Sequence, residues 1–203
     1  LVVEVASNDG YLLQHAVARG IAVVGIEPAA NIARVARERG VRTEVVFLGE
    51  RSGKEIADRY GKADLVVGNN VFAHTPELLD FARGLRALVA DSGTVSLEFP
   101  HLLRLIEGRQ YDTIYHEHYS YFTLRTAAAA LMAADLAVVD VMELGTHGGS
   151  LRVLAQPRGA AGEPSGVKRG LERRLVDEIA AGNVDEECAS LHLRKGRGVH
   201  QIL

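Results

Sequence analysis

The sequence predicts an α/β protein: a doubly wound, mostly parallel sheet with an antiparallel hairpin at one edge. Three observations predict it. Apolar runs of strand length alternate with helical periodicity five times between Leu1 and Phe99, and the connections between them are short. After Pro100 the alternation breaks, and two further strands follow around Thr146-His147-Gly148-Gly149-Ser150. Right-handed crossovers and helices on both faces follow from the first part, and an edge hairpin from the second.

Taken in order, Leu1–Ala6 reads as the first strand and Ser7-Asn8-Asp9-Gly10 as a turn. Tyr11–Arg19 carries helical spacing (Leu12, Leu13, Ala16, Val17) and stops at Gly20. Ile21–Ile26 is a second, β-branched strand ending at Glu27-Pro28. A helix over Asn31–Arg39 ends at Gly40, where glycine suits a helix C-terminus. Thr43–Leu48 reads as a strand, Lys54–Tyr60 as a short helix and Ala63–Gly68 as the fourth strand, ending at Asn69-Asn70. Pro76 suits the first turn of a helix over Glu77–Val89. Gly93–Phe99 is the fifth strand.

Beyond it, His101–Glu107 reads as a helical turn, Thr123–Ala134 as an alanine-rich helix, and Leu136–Leu144 and Leu151–Gln156 as the hairpin strands. One domain is therefore expected over 1–156. Residues 157–203 are expected to hold a Gly/Pro/Ala-rich linker, an amphipathic helix over Val167–Ala181 and the start of a truncated C-terminal domain.

Composition narrows the function. At 203 residues, 47% hydrophobic and 24% charged, the chain suits one substantial globular domain. A net charge of −3 gives no basic footprint for nucleic acid or an anionic membrane. Cys188 is the sole cysteine, which excludes an internal disulfide and a thiolate metal cluster and points to the cytoplasm. No apolar run has the length of a membrane span. The chain opens inside a strand without an initiating Met, which reads as a piece of a longer protein.

In a doubly wound sheet, ligands bind beyond the carboxyl ends of the strands, beside the first. Those ends carry Ser7-Asn8-Asp9-Gly10, Glu27-Pro28, Asn69-Asn70 and Glu98-Phe99-Pro100-His101. A dinucleotide loop needs three glycines so that backbone can approach the pyrophosphate, but Ala6, Asn8 and Gly10 stand at those positions. Glu4 and Asp9 would also face the phosphates with negative charge. A sulfonium cofactor carries no phosphate and tolerates carboxylates, so S-adenosyl-L-methionine is favoured over NAD. Glu27 can accept both ribose hydroxyls in either case.

The other crowded stretch is Tyr111-Asp112-Thr113-Ile114-Tyr115-His116-Glu117-His118-Tyr119-Ser120-Tyr121-Phe122. Histidine and tyrosine donate and accept protons near neutral pH when their surroundings help. A base next to a ketone, with donors for the enolate oxygen, would make a carbon nucleophile, and Tyr115-His116-Glu117-His118 contains those parts. In a regular strand Glu117 and His118 would point apart, so an irregular turn is expected there. His116 reads as structural, and a His-x-His metal site lacks a defined third ligand, so no metal is expected.

At these residues the chain resembles a known family. Val2-Val3-Glu4-Val5-Ala6-Ser7-Asn8-Asp9-Gly10-Tyr11-Leu12-Leu13 and Gly25-Ile26-Glu27-Pro28-Ala29 resemble the S-adenosylmethionine-binding domain of the sugar C-methyltransferases, which act on nucleotide-linked keto-deoxysugars. Gly68-Asn69-Asn70-Val71-Phe72-Ala73-His74, Glu98-Phe99-Pro100-His101-Leu102, the Tyr111–His118 stretch and Thr146-His147-Gly148-Gly149-Ser150-Leu151-Arg152 extend the likeness.

The resemblance implies the Rossmann-like fold of class I methyltransferases and C-methylation beside the ketone of a nucleotide-linked 4-keto-deoxysugar. It makes His118 the leading base, with Tyr115, Glu117 and His74 completing the catalytic group. Glu4, Ala6, Ser7, Asn8, Gly10, Glu27, Pro28, Asn69 and Asn70 would meet the cofactor; His101 reads as a substrate contact or an ordinary capping residue, and His147 as a substrate contact or part of the hairpin turn. Family members look like three-part proteins with a cysteine-ligated zinc domain in front and a further domain behind, which suggests truncation at both ends. An oxygen- or nitrogen-directed methyltransferase, or a fragment without turnover, are the alternatives. Oligomeric state is left open.

Overall fold

The computed structural model describes residues 1–159. Seven strands form one sheet in the order β3-β2-β1-β4-β5-β7-β6. They are β1 (Val2–Val5), β2 (Val23–Ile26), β3 (Thr43–Glu44), β4 (Ala63–Asn69), β5 (Val89–Pro100), β6 (Leu136–Leu144) and β7 (Ser150–Pro157). β1 to β5 pair in parallel, while β7 lies antiparallel between β5 and β6, so the expected edge hairpin is present. The helices are α1 (Leu13–Val17), α2 (Ala30–Glu38), α3 (Glu50–Tyr60), α4 (Leu78–Leu88), α5 (Leu102–Glu107) and α6 (Leu124–Met132).

Alternation of side chains along each strand divides the interior in two. Val3, Val5, Val24 and Ile26 join a large apolar cluster with Ile56 of α3, Leu85 and Leu88 of α4 and Leu124 of α6. Val23, one step out of phase, joins Leu13 of α1, Ala36 of α2 and Val41 in a smaller cluster. Where α3 meets α4, a Cβ on Gly53 would stand 2.7 Å from the Gly84 carbonyl oxygen, so glycine permits the close approach.

Several elements differ in extent from expectation. The third strand pairs over only Thr43–Glu44, because Val45 and Phe47 turn out to solvent at 40% and 80% exposure. α3 begins at Glu50, four residues early, its first free amide accepted by the Asp80 carboxylate at 3.1 Å. α4 begins at Leu78, after Pro76 rather than around it. β5 runs on directly from α4 at Val89 and shifts register against β4 between Ala63 and Leu65. The linker and the helix over Val167–Ala181 lie outside the described residues.

Near the carboxyl end of the sheet the core is aromatic. Phe72 (after β4), Phe99 (on β5) and Phe122 (before α6) are all fully buried. Phe72 and Phe122 stack at 4.5 Å, and Phe99 meets Phe122 edge-on at 5.2 Å. Each such burial is worth about 2–3 kcal/mol, with about 1 kcal/mol more from ring geometry. This triplet anchors the C-terminal end of the Tyr111–Phe122 stretch.

Candidate active site

The loop after β1 has the conformation that glycines would supply, built largely without them. Ala6, Asn8 and Gly10 have φ of 55°, 50° and 78°, and Asn70 after β4 has φ 54°. A non-glycine residue in this left-handed region is strained by about 1–2 kcal/mol, and such strain gathers where backbone must meet a ligand. Asn8 relieves some of it by donating its side-chain amide to the Ala6 carbonyl at 2.9 Å. The Glu27 carboxylate, 7% exposed at the end of β2, accepts the backbone amides of Asn8 (3.2 Å) and Ala29 (2.8 Å). Pro28 separates Glu27 from the start of α2.

Three buried polar atoms here have no protein partner: Glu4 Oε2, Ser7 Oγ and Asn70 Oδ1. Burial pushes the Glu4 carboxyl up to about 8. Tyr11 stands over the same ground; burial raises its phenol, and the charges of Glu4, Glu98 and Asp9 add to the effect. Ser7 Oγ lies against β2, where a Cβ on Gly25 would be 2.4 Å away. Asp9 pairs with Arg39 at 2.6 Å. Asn69 ends β4 opposite Glu98.

The Tyr/His segment bends as expected. After a 3-10 turn over Tyr111–Thr113, the His118 amide returns to the Tyr115 carbonyl at 3.1 Å, closing a turn that puts Glu117 and His118 on one side. The amides of Tyr119 and Ser120 both donate to the Ala73 carbonyl, at 2.9 and 3.2 Å, which fastens the segment to the loop after β4. His74 and His118 therefore meet edge to face at 4.8 Å, with Tyr115 at 4.4 Å and Tyr121 at 5.8 Å from the His118 ring. Glu117 Oε2 lies 3.9 Å from His74 Nδ1.

His118 Nδ1 lies 2.7 Å from the Thr113 carbonyl oxygen, which can only accept. In the neutral ring Nδ1 therefore carries the hydrogen, and the Nε2 lone pair is left for a proton. His74 is held below its ordinary range by burial and then by neighbouring His118, with Glu117 opposing. Burial raises the Tyr121 phenol. His116 is exposed, with its Nε2 3.8 Å from Glu117 Oε1.

The hairpin completes the rim. Glu98, 5% exposed at the end of β5, accepts Arg152 at 2.6 Å and the Thr146 hydroxyl at 2.9 Å. His147 projects from that turn, exposed and in the left-handed region at φ 52°. His101 is 2% exposed and caps α5, its amide donating to the Gly149 carbonyl at 3.0 Å. Among the described residues, no group of three or more His, Cys, Asp or Glu could hold a metal, and no helix is long and apolar enough to cross a membrane.

Residues 2–141 match the family profile described as a methyltransferase domain. The chain belongs to that family. Its methyl donor is S-adenosyl-L-methionine, and the partnerless Glu4, Ser7 and Asn70 atoms and the carboxylate of Glu27 suit a phosphate-free, cationic cofactor. The chain is 41% identical over 182 residues to the C-methyltransferase NovU of Streptomyces niveus, covering 90% of this chain and 43% of that protein. The chain thus spans less than half the length of this curated relative. A SAM-dependent methyltransferase from Anabaena variabilis superposes with a TM-score of 0.62 at 13% identity, over 77% of this chain and 76% of its own. Magnesium protoporphyrin IX methyltransferase from Synechocystis with bound SAH gives 0.58 at 16% identity, over 76% and 73%. These two likenesses speak for the fold.

Sequence reasoning named Glu98 and Arg152 only as parts of longer motifs and gave them no role. Their pairing spans 54 positions and joins two strands whose register no local pattern reveals. Thr113 was likewise named only within the Tyr/His stretch, because it acts through its main-chain carbonyl; Gln110 was not named, because its side-chain amide reaches Gly148, 38 positions away.

Proposed function

We propose that the chain is the donor-binding and proton-abstracting part of an enzyme that methylates carbon beside the ketone of a nucleotide-linked 4-keto-deoxysugar. One observation carries the reading: the His118 ring has its Nδ1 on the Thr113 carbonyl and its neighbours His74, Tyr115 and Glu117 around it, at the end of the sheet where the β1 loop lies.

Glu4, Ala6, Ser7, Asn8, Gly10, Glu27, Pro28, Asn69 and Asn70 would hold the cofactor. Backbone at Ala6, Asn8 and Gly10 would allow a close approach, Glu27 would accept from the ribose hydroxyls, and Glu4 and Asn70 would be available to its amino-acid end. When bound, S-adenosylmethionine supplies an electrophilic methyl group on sulfur. His118 Nε2 takes the proton from the carbon beside the ketone, and the C–H electron pair moves into the enolate. Tyr115 and His74 donate hydrogen bonds to the enolate oxygen; His74, held below the ordinary histidine range, does so as a neutral N–H. Glu117, 3.9 Å from His74 Nδ1, completes the polar wall of the site. His147 and His101 border the sugar side, the first from the hairpin turn and the second from beneath it. The relative's printed name, a C-methyltransferase, agrees with carbon as acceptor.

The test uses the full-length protein, 13C-methyl-labelled adenosylmethionine and 4-keto-deoxysugars on uridine and thymidine diphosphate carriers. A product signal in the C–CH3 region of the NMR spectrum is expected. An O–CH3 or N–CH3 signal would overturn the reading.

A further inference from the structure

Gln110 is half-buried between α5 and the 3-10 turn that opens the Tyr/His segment. Its side-chain amide donates to the Gly148 carbonyl of the hairpin turn at 2.8 Å, and at 3.4 Å to the Arg104 carbonyl. Its own carbonyl accepts the Thr113 hydroxyl at 2.7 Å and the Thr113 amide at 3.2 Å. The Thr113 carbonyl in turn faces His118 Nδ1 at 2.7 Å. A continuous hydrogen-bonded path therefore runs from the hairpin turn to the imidazole.

Two glycines make room for that amide. A Cβ on Gly148 would stand 2.4 Å from Gln110 Oε1, and one on Gly108 would stand 2.7 Å from Gln110 Nε2. Gly148 has φ 74°, which favours glycine in any case. Gly108 does not: its φ of −80° and ψ of −4° suit any residue. At Gly108 the Gln110 side chain at 2.7 Å and the Arg104 carbonyl oxygen at 3.0 Å, rather than backbone conformation, favour the missing Cβ.

We propose that Gln110 is a positioning residue: by clamping the Tyr/His segment to the hairpin turn through Gly148, it aims the Thr113 carbonyl at His118 and fixes the ring as the Nδ1–H tautomer. The inference rests on the reading of His118 as base. Thr113 is the intermediate member of the path. Glycine at 108 and 148 is what gives the amide its seat.

The experiment uses full-length protein labelled with 15N-histidine, and reads the His118 tautomer directly from ring 15N–1H correlation spectra, without substrate. The variants are Gln110→Leu, Gly108→Ala, their combination, Thr113→Val and Thr113→Ser. Wild type and Thr113→Ser are expected to show the Nδ1–H form. Gln110→Leu, Gly108→Ala and Thr113→Val are expected to move population to the Nε2–H form. With a 4-keto-deoxysugar as probe, kcat should fall roughly fivefold, the loss of about one net hydrogen bond, while affinity for S-adenosylhomocysteine stays within about twofold. In the double variant the Gly108→Ala effect should shrink, since the Gln110 Nε2 it displaces is gone, although the Arg104 carbonyl oxygen at 3.0 Å and the side-chain Cγ at 3.2 Å remain.

An unchanged tautomer in Gln110→Leu and Gly108→Ala would overturn the proposal. Equal loss of adenosylhomocysteine affinity would reduce Gln110 to general scaffolding and overturn it as well. Failure of the underlying reading is separate: it shows as undiminished turnover in His118→Asn, whatever the tautomer spectra give.

Discussion

Glu4 is a carboxyl in the middle of β1 with 1% exposure and one oxygen without a partner, and replacing it by Gln isolates what its burial does. Its pKa is raised from 4.5 to about 8 in the folded chain. Between those two values the folded state holds a proton that the unfolded state has released, so stability falls as pH rises through the window and levels off above it. Each pH unit removes about 1.4 kcal/mol. From pH 5 to pH 8 the wild-type domain should therefore lose roughly 3–4 kcal/mol from this group.

Glu4→Gln should lack that decline and exceed wild type by about 3 kcal/mol at pH 7. Urea denaturation of both proteins at pH 5, 6, 7 and 8 gives the comparison, since subtracting the two slopes removes every other titrating group. A cationic ligand beside the carboxylate would lower its pKa, so calorimetry in buffers of different ionisation heat should show about one proton released per adenosylmethionine bound at pH 7. Parallel slopes for wild type and Glu4→Gln, with no proton released, would refute the assignment of Glu4 as a buried, protonated group.

Phe122→Ala should cost about 3–5 kcal/mol, because the ring is fully buried and stacks on Phe72 at 4.5 Å. A shift of the urea midpoint worth under about 1 kcal/mol would mean that the triplet does not anchor the Tyr/His segment. Ala6→Gly should stabilise the protein by about 0.5–1 kcal/mol, since relief of left-handed strain exceeds the added freedom of the unfolded chain. A lower melting temperature in that variant would contradict the φ of 55° at this position.

The first five strands were legible because β-branched runs such as Val2-Val3 and Val23-Val24 sit between turn-forming residues, and helices between them force a parallel sheet. β3 was misread in length: Val45-Val46-Phe47 has a strand's composition, but only two residues find a partner strand. Helix starts were off wherever a tertiary contact set them, as Asp80 does for α3. In the site, the bend at Tyr115–His118 followed from asking how two adjacent side chains could face one ligand. The left-handed backbone at Ala6 and Asn8 did not, because glycine was the signal sought and the conformation is present without it. The Gln110 contact to Gly148 spans 38 positions and depends on two absent Cβ atoms, which no linear pattern exposes.

The most direct test of the account follows hydrogen exchange at the carbon beside the ketone in D2O. Full-length protein, adenosylhomocysteine and a nucleotide-linked 4-keto-deoxysugar are incubated with wild type or His118→Asn, and deuterium incorporation is read by NMR. Wild type should exchange that hydrogen. His118→Asn should exchange it about a hundredfold more slowly or worse, with adenosylhomocysteine affinity unchanged by calorimetry. Exchange at the wild-type rate in His118→Asn would show that the proton leaves by another route.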